Sequence, residues 1–287
     1  MKNIFLVLLL LFSSISSSSA MDTTELIKKG RDVTVFIIAE FKNANMSQPI
    51  IKNGTGFVID TVKSPGLVIV TNRHILEHNI KGRLFEPYKI TIKVNMSEIE
   101  ETLYSAEIIA LHDSYDIGLL HPEKLIKVPQ DAELKIAGDR KYFAWKTQAF
   151  LLEDTIPEDS IIKEGLEVFF SGYPLNLGIE KFKNYPITRK GIVAQTIPNE
   201  NEFIMDGFAS HGNSGSPVYC LISDSIKLLG IQKGVYNDTN VGYDENGNIN
   251  GLVSFNSGLS IVIKASVIKN FIYDLIDKGK YKGDWSN

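Results

Sequence analysis

His211-Gly212-Asn213-Ser214-Gly215-Ser216-Pro217-Val218 is the stretch on which the reading of this chain turns. Ser214 stands between small residues on a tight turn, just ahead of an apolar, β-prone run from Pro217 to Ile222. Gly212 and Gly215 have no Cβ, so the backbone there takes positive φ and lets another molecule approach closely. Such a turn presents a serine hydroxyl outward while the N–H groups of Gly212 and Ser214 converge on a developing oxyanion. A plain Gly/Ser turn between two strands has the same letters. A base and an orienting acid elsewhere in the chain decide between the two.

A serine hydroxyl is a weak nucleophile at neutral pH and needs a base within hydrogen-bond reach. The chain has five histidines: His74, His78, His112, His121 and His211. A strand, Val68 to Val70, delivers His74 to a tight connection, where a strand end places a catalytic group well; a histidine capping the turn fits the same setting. His78 reads as a surface residue of that turn, and His211 as a flank of the pocket beside the serine. The imidazole also needs a carboxylate to hold its tautomer. Asp116 opens the apolar run Ile117-Gly118-Leu119-Leu120 and so sits at a strand start; Asp113 lies in a more polar turn and fits less well. Aspartates in such places also simply form turns. Taken together, His74, Asp116 and Ser214 follow one of the chain orders on which a His-Asp-Ser triad recurs.

The rest of the chain bounds what surrounds these residues. It has 287 residues, 44 % of them hydrophobic, and a net charge of −4 with both signs interspersed. That balance gives no basic surface for nucleic acid or a polybasic membrane contact. Met1-Lys2-Asn3, an apolar run from Ile4 to Phe12 and small residues to Ala20 read as a secretory signal (residues 1–20) cut after Ala20. The apolar run is too short for a stable membrane anchor, which needs ~20 residues. The expected location is therefore secreted or periplasmic. Cys220 is the only cysteine, so no intrachain disulfide forms, which fits a bacterial exported protein better than a disulfide-rich eukaryotic one.

Short strands dominate the remainder. They are expected at Val33 to Phe41, at Phe57 to Ile59 pairing with Leu67 to Val70, and then at intervals to Leu259–Ile263. A helix is expected from Thr23 to Lys29 and a closing amphipathic helix from Val267 to Ile276. Asn237 to Gly251, dense in Asn, Asp and Gly, reads as an exposed loop. Many short strands in two comparable halves predict two β-barrels or a sandwich. Asp244 to Gly251 starts like a calcium loop, but Ile249 occupies the turn-glycine position and no bidentate Glu follows, so no metal or other cofactor is expected.

The local texts Thr-Asn-Arg-His-Ile-Leu around His74, Asp-Ile-Gly-Leu-Leu from Asp116 and Gly-Asn-Ser-Gly-Ser-Pro-Val around Ser214 resemble the chymotrypsin-like (trypsin-fold) serine peptidases. The likeness is nearest the disulfide-free bacterial branch of glutamyl endopeptidases and high-temperature-requirement proteases. Gly54-Thr55-Gly56-Phe57-Val58-Ile59 is similar to that branch's strand ahead of the histidine, and Ser171-Gly172-Tyr173-Pro174 to its Gly-Tyr-Pro turn. The resemblance implies an all-β fold of two packed six-stranded antiparallel β-barrels with a C-terminal helix. It places barrel one at about 30–122, a linker at about 123–140, barrel two at about 141–264 and the helix at about 265–278. It implies an endopeptidase acting on protein or peptide substrates. His74 would be base then acid, Asp116 its orienting partner and Ser214 the nucleophile, with the N–H groups of Gly212 and Ser214 as oxyanion hole.

The specificity pocket departs from the family's marked types. Its base is Phe208, six residues before the nucleophile and without a carboxylate, which argues against Lys or Arg at the P1 position. Its wall is Gly230 to Gly234, with Gln232 and Lys233 where glutamyl endopeptidases carry histidine and tryptophan. Lys233 and His211 are the cations available to an acidic P1, and Gly234 completes the wall; a Phe-floored pocket favours small or medium apolar P1 residues. Two other readings stay open. A catalytically silent trypsin-fold binding or adhesion module would have a collapsed oxyanion loop, and a non-enzymatic sandwich would have no site at all. Oligomeric state is not legible.

Overall fold

Thr34 to Phe41, a run of β-branched and aromatic residues, forms the first strand, β1, buried along almost its whole length. The computed structural model describes residues 21–42, 48–61, 66–80, 82–95, 101–127, 149–176 and 185–279. The expected signal (1–20), most of the expected linker (128–140) and the start of the expected second barrel (141–148) lie outside these residues.

The first sheet is a ring. Strands β2 (Ile50–Asp60), β3 (Leu67–Thr71), β6 (Lys89–Asn95), β7 (Glu101–Leu111) and β8 (Gly118–Lys127) join β1 in the order β1-β6-β7-β8-β3-β2. Pairing of β1 with β2 from Thr34↔Phe57 to Phe41↔Ile50 closes it. A small hairpin of β4 (His78–Ile80) and β5 (Arg83–Phe85) lies between. The second sheet is a closed six-stranded barrel of β10 (Glu167–Gly172), β11 (Ile187–Thr196), β12 (Glu202–Asp206), β13 (Pro217–Ile222), β14 (Ser225–Tyr243) and β15 (Ile249–Lys264). All of its pairs are antiparallel. This is the all-β, two-barrel, trypsin-like architecture expected from the sequence, with its C-terminal helix at Ala265–Asp277.

Three boundaries need correction. Residues 123–127 belong to β8, paired with β7 as far as Leu103↔Lys127, and not to a linker. The strand expected at the start of barrel two is described as β9 (Phe150–Leu151), and it pairs parallel with β2, in the first sheet. Asn237 to Gly251 is not a loop: β14 and β15 stay paired out to Tyr243↔Ile249. The chain turns only between Tyr243 and Ile249, where Asp244, Asn246, Gly247 and Asn248 stand. Asp244 Oδ1 accepts from the N–H groups of Asn246 and Asn248, and Gly247 takes a positive φ of 81°. The flanking Thr239, Val241 and Val253 suit strands.

Three apolar cores result. One fills the first sheet around Ile37, Ile69 and Ile92, and one fills the barrel around Phe170, Val218 and Leu229. The third lies between the sheets, where Phe57, Val70 and Ile117 meet Tyr219, Ile231 and Ile268. Two helices seal this seam. α1 (Thr23–Asp32), N-capped by the Asp22 carboxylate on Glu25 N–H, lays Gly30 against the Tyr219 ring; the C-terminal helix supplies Ile268 and Ile272. A single-turn helix, α2 (Arg73–Leu76), follows β3, so the C-terminal helix is α3.

Candidate active site

His74 sits in the single turn of α2, immediately after β3 has crossed the core. Its backbone N–H donates to Asp116 Oδ1 at 2.8 Å, and its ring Nδ1 lies 2.6 Å from Asp116 Oδ2. With that carboxylate ionised, Nδ1 carries the proton and Nε2 is left as an acceptor. Burial pushes the Asp116 carboxyl pKa up, but the hydrogen bonds and charge of His74, helped by Lys233, outweigh it and hold it below the ordinary carboxylate value.

The two segments are stitched together by residues with no chemistry of their own to perform. Asn72 Nδ2 donates to Asp116 O at 2.8 Å, and Arg73 Nη1 to His112 O at 2.8 Å. Arg73 also grips Glu77 through two parallel bonds, at 2.7 and 2.9 Å. From the other side, Lys52 Nζ on β2 donates to the carbonyls of His74 and Glu77, which α2 is too short to satisfy itself. The ring of His74 remains open to solvent, at 46 % exposure.

Ser214 is placed by β2 as well. Thr55 N–H donates to Ser214 O at 2.8 Å, while Thr55 Oγ1 donates to Gly212 O at 2.6 Å and accepts from Tyr173 N–H at 3.1 Å. On the barrel side, Gly215 N–H donates to Gln232 O and Gln232 N–H to Ser216 O, both at 2.9 Å. The loop is so tightly held that a Cβ on Gly212 would lie 2.1 Å from Tyr173 O, and one on Gly215 1.9 Å from Thr55 O. Both glycines take positive φ, 91° and 89°. Asn213 is wholly buried, with its N–H on Ser210 O and its Oδ1 accepting from Ser210 N–H. His211 O accepts from Leu175 N–H. Among the described residues, the N–H groups of Gly212 and Ser214 donate to nothing, and no hydrogen bond joins Ser214 Oγ to His74. Catalytic hydrogen bonds often tighten only when substrate binds.

Residues 54–231, more than half of the chain, match the Trypsin-like peptidase domain family. The chain belongs to that family. No curated protein sequence matches it significantly. A trypsin-like peptidase domain makes the protein a serine protease, a hydrolase whose substrates are proteins or peptides.

Around the loop of this trypsin-like domain lie the residues named for specificity. Phe208 is half exposed, at 53 %, with the Arg189 guanidinium over its ring and Arg189 Nη1 donating to its carbonyl. Lys233 Nζ is engaged by Glu202 at 2.9 Å. Gln232 is buried; its Nε2 donates to Gly234 O, and its Oε1 has no partner among the described residues. His211 is exposed. Sequence reasoning gives no role to Lys52, Thr55, Asn72, Arg73 or Arg189. Thr55, Asn72 and Arg73 stand inside the quoted motifs, and that adjacency is their only sequence signal; nothing local marks Lys52 or Arg189.

Proposed function

We propose that the protein is an exported serine endopeptidase that works through His74, Asp116 and Ser214. The observation that carries this is the doubly hydrogen-bonded His74–Asp116 pair beside a loop that leaves the N–H groups of Gly212 and Ser214 unengaged. His74 Nε2 takes the Ser214 hydroxyl proton as Oγ attacks the substrate carbonyl carbon. The oxyanion that forms is received by the Gly212 and Ser214 N–H groups. The imidazolium, stabilised by Asp116, then protonates the leaving amine and leaves an acyl ester on Ser214. Water, deprotonated by the same Nε2, attacks the ester, releases the acid and returns the proton to Ser214.

A fluorophosphonate serine probe tests the reading. The chain should label, and Ser214→Ala and His74→Ala should not; kcat should fall by roughly 10⁴–10⁶ for either change. Equal, weak labelling of all three forms overturns it. Export is tested by N-terminal sequencing of the protein recovered outside the cytoplasm, with Met21 as the expected first residue.

At P1 we expect small or medium apolar residues, from Phe208. Arg189 over the Phe208 ring favours a second outcome, an acidic P1. Peptides differing only at P1 separate the two, and preferential cleavage after Lys or Arg excludes both.

A further inference from the structure

Asp116 is the middle residue of a three-residue turn, closed by Ile117 N–H donating to Tyr115 O at 2.8 Å. In so short a closure the peptide planes on either side set the direction of the Asp116 Cα–Cβ bond. A shift of Tyr115 therefore passes straight to the carboxylate. A wider loop encloses this turn. His112 N–H donates to Ile117 O at 2.9 Å, and His112 Nδ1 accepts from the N–H groups of Ser114 and Tyr115 at 3.0 and 3.1 Å. The His112 ring packs in turn on the rings of Tyr115 and of Phe271 in α3, with centroids 5.0 and 4.8 Å away.

The side chain of Tyr115 leaves this loop and crosses to the other sheet. Its hydroxyl accepts from Asn201 Nδ2, in the connection between β11 and β12. Asn201 is fixed there by the main chain. Its carbonyl accepts from Lys264 N–H at 2.9 Å, at the end of β15, and the connection before it turns at Asn199, with a positive φ of 64°. The next residue, Glu202, opens β12 and is paired with Ile263. The Asn201–Tyr115 bond thus joins the two halves across 86 residues without passing through the nucleophile loop.

Beside the Thr55 bonds, it completes a reciprocal pair. Thr55, in the first sheet, seats the loop that carries Ser214, and Asn201, in the barrel, seats the turn that carries Asp116. Among the described residues no hydrogen bond joins Ser214 Oγ to His74, so the gap between them is set by how the halves are registered. We infer that Tyr115 and Asn201 are positioning residues: their bond holds the Asp116 carboxylate, and through it the His74 ring, in register with Ser214. This rests on the proposed roles of His74, Asp116 and Ser214. Both residues act through Asp116, so their effect belongs in kcat and not in KM.

Tyr115→Phe tests this, since the ring stays on His112 and only the hydroxyl is lost. For a short cleavable peptide, kcat should fall about tenfold at unchanged KM, within the ~100-fold that a 1 Å misplacement costs. Asn201→Ala should match it, and the double variant should fall no further, because both changes remove one bond. The urea midpoint of each variant reports any loss of folded protein. A second measurement needs no turnover: the downfield proton resonance of His74 Nδ1–H, recorded on Ser214→Ala with and without Tyr115→Phe. Loss of the hydroxyl should move it, as the geometry between Nδ1 and Asp116 changes. If no form cleaves the peptide, the protease reading fails, and the resonance alone decides whether Tyr115 positions the pair. An unmoved resonance overturns the inference. So do losses that add in the double variant, a kcat that falls only in step with the folded fraction, or a change confined to KM.

Discussion

Thr55 has no accessible surface, and each of its polar atoms is engaged: N–H and Oγ1 on the nucleophile loop, the carbonyl on Thr71 Oγ1 at 2.7 Å. Replacing it with valine keeps the shape but strands Gly212 O and Tyr173 N–H without a partner. Each such buried group costs ~1–3 kcal/mol. Thr55→Val should therefore lower the urea midpoint and, because the loop is what loses support, reduce kcat by more than the folded fraction falls. Equal losses in both would show that Thr55 holds the fold without shaping the loop. His112 supplies a second prediction. Its Nδ1 accepts from the N–H groups of Ser114 and Tyr115, in the turn that presents Asp116, and an imidazolium has no lone pair for them. Burial lowers its pKa, with Arg73 acting the same way and Asp113 and Asp274 opposing. A depressed histidine pKa means the unfolded chain takes the proton first. Its contribution is whole above the unfolded value of ~6.5 and lost as pH falls through the lower folded value. His112→Asn, which keeps an acceptor near the Nδ1 position, should flatten the decline of the urea midpoint between neutral and mildly acidic pH.

At the scale of elements, helix α1 docks through the absence of a side chain. A Cβ on Gly30 would lie 2.0 Å from the Tyr219 ring, which is itself buried and bonded through its hydroxyl to Ser171 Oγ at 2.8 Å. Gly30→Ala should cost ~1–3 kcal/mol by overpacking despite its better helix propensity, read as a lower thermal midpoint. Stabilisation instead would mean that α1 shifts freely on the barrel. This contact explains where the sequence is legible and where it is not. Continuous apolar, β-branched runs mark β1, β3 and β13, the Asp22 cap marks α1 and an amphipathic pattern marks α3, because those signals are local. The continuation of β14 past Gly234 is hidden by Asn and Asp residues that also favour turns, and only their pairing with the β15 side decides it. Phe150–Leu151 is assigned to the wrong sheet because a parallel partner, β2, lies about ninety residues back in the chain. At the site, the motifs single out His74, Asp116 and the 212–215 turn. The clamps are out of view: Thr55 reaches Gly212 across 157 residues and Lys52 reaches Glu77 across 25.

For the whole molecule, the candidate site lies at the seam between the sheets, where Thr55 bonds the 212–214 loop, and the third core is what holds that seam together. Ile268 of α3 is fully buried in that core, among residues of both sheets. Ile268→Ala should destabilise the protein by ~2–5 kcal/mol through the cavity it leaves. Because the core is common to both halves, unfolding should remain one transition, followed equally by near-UV (tyrosine) and far-UV circular dichroism. Two separated transitions would mean that the barrels hold themselves up independently. The seam also imposes an order in time. His74 and Asp116 lie in the sheet that leaves the ribosome first, whereas the bonds seating Ser214 and Gly212 close a span of 157 residues and need β13 and β14 beyond them. On the proposed assignment, a growing chain carries its base and acid for roughly a hundred residues of synthesis before Ser214 is made, and would be harmless to itself and its neighbours until the barrel has closed.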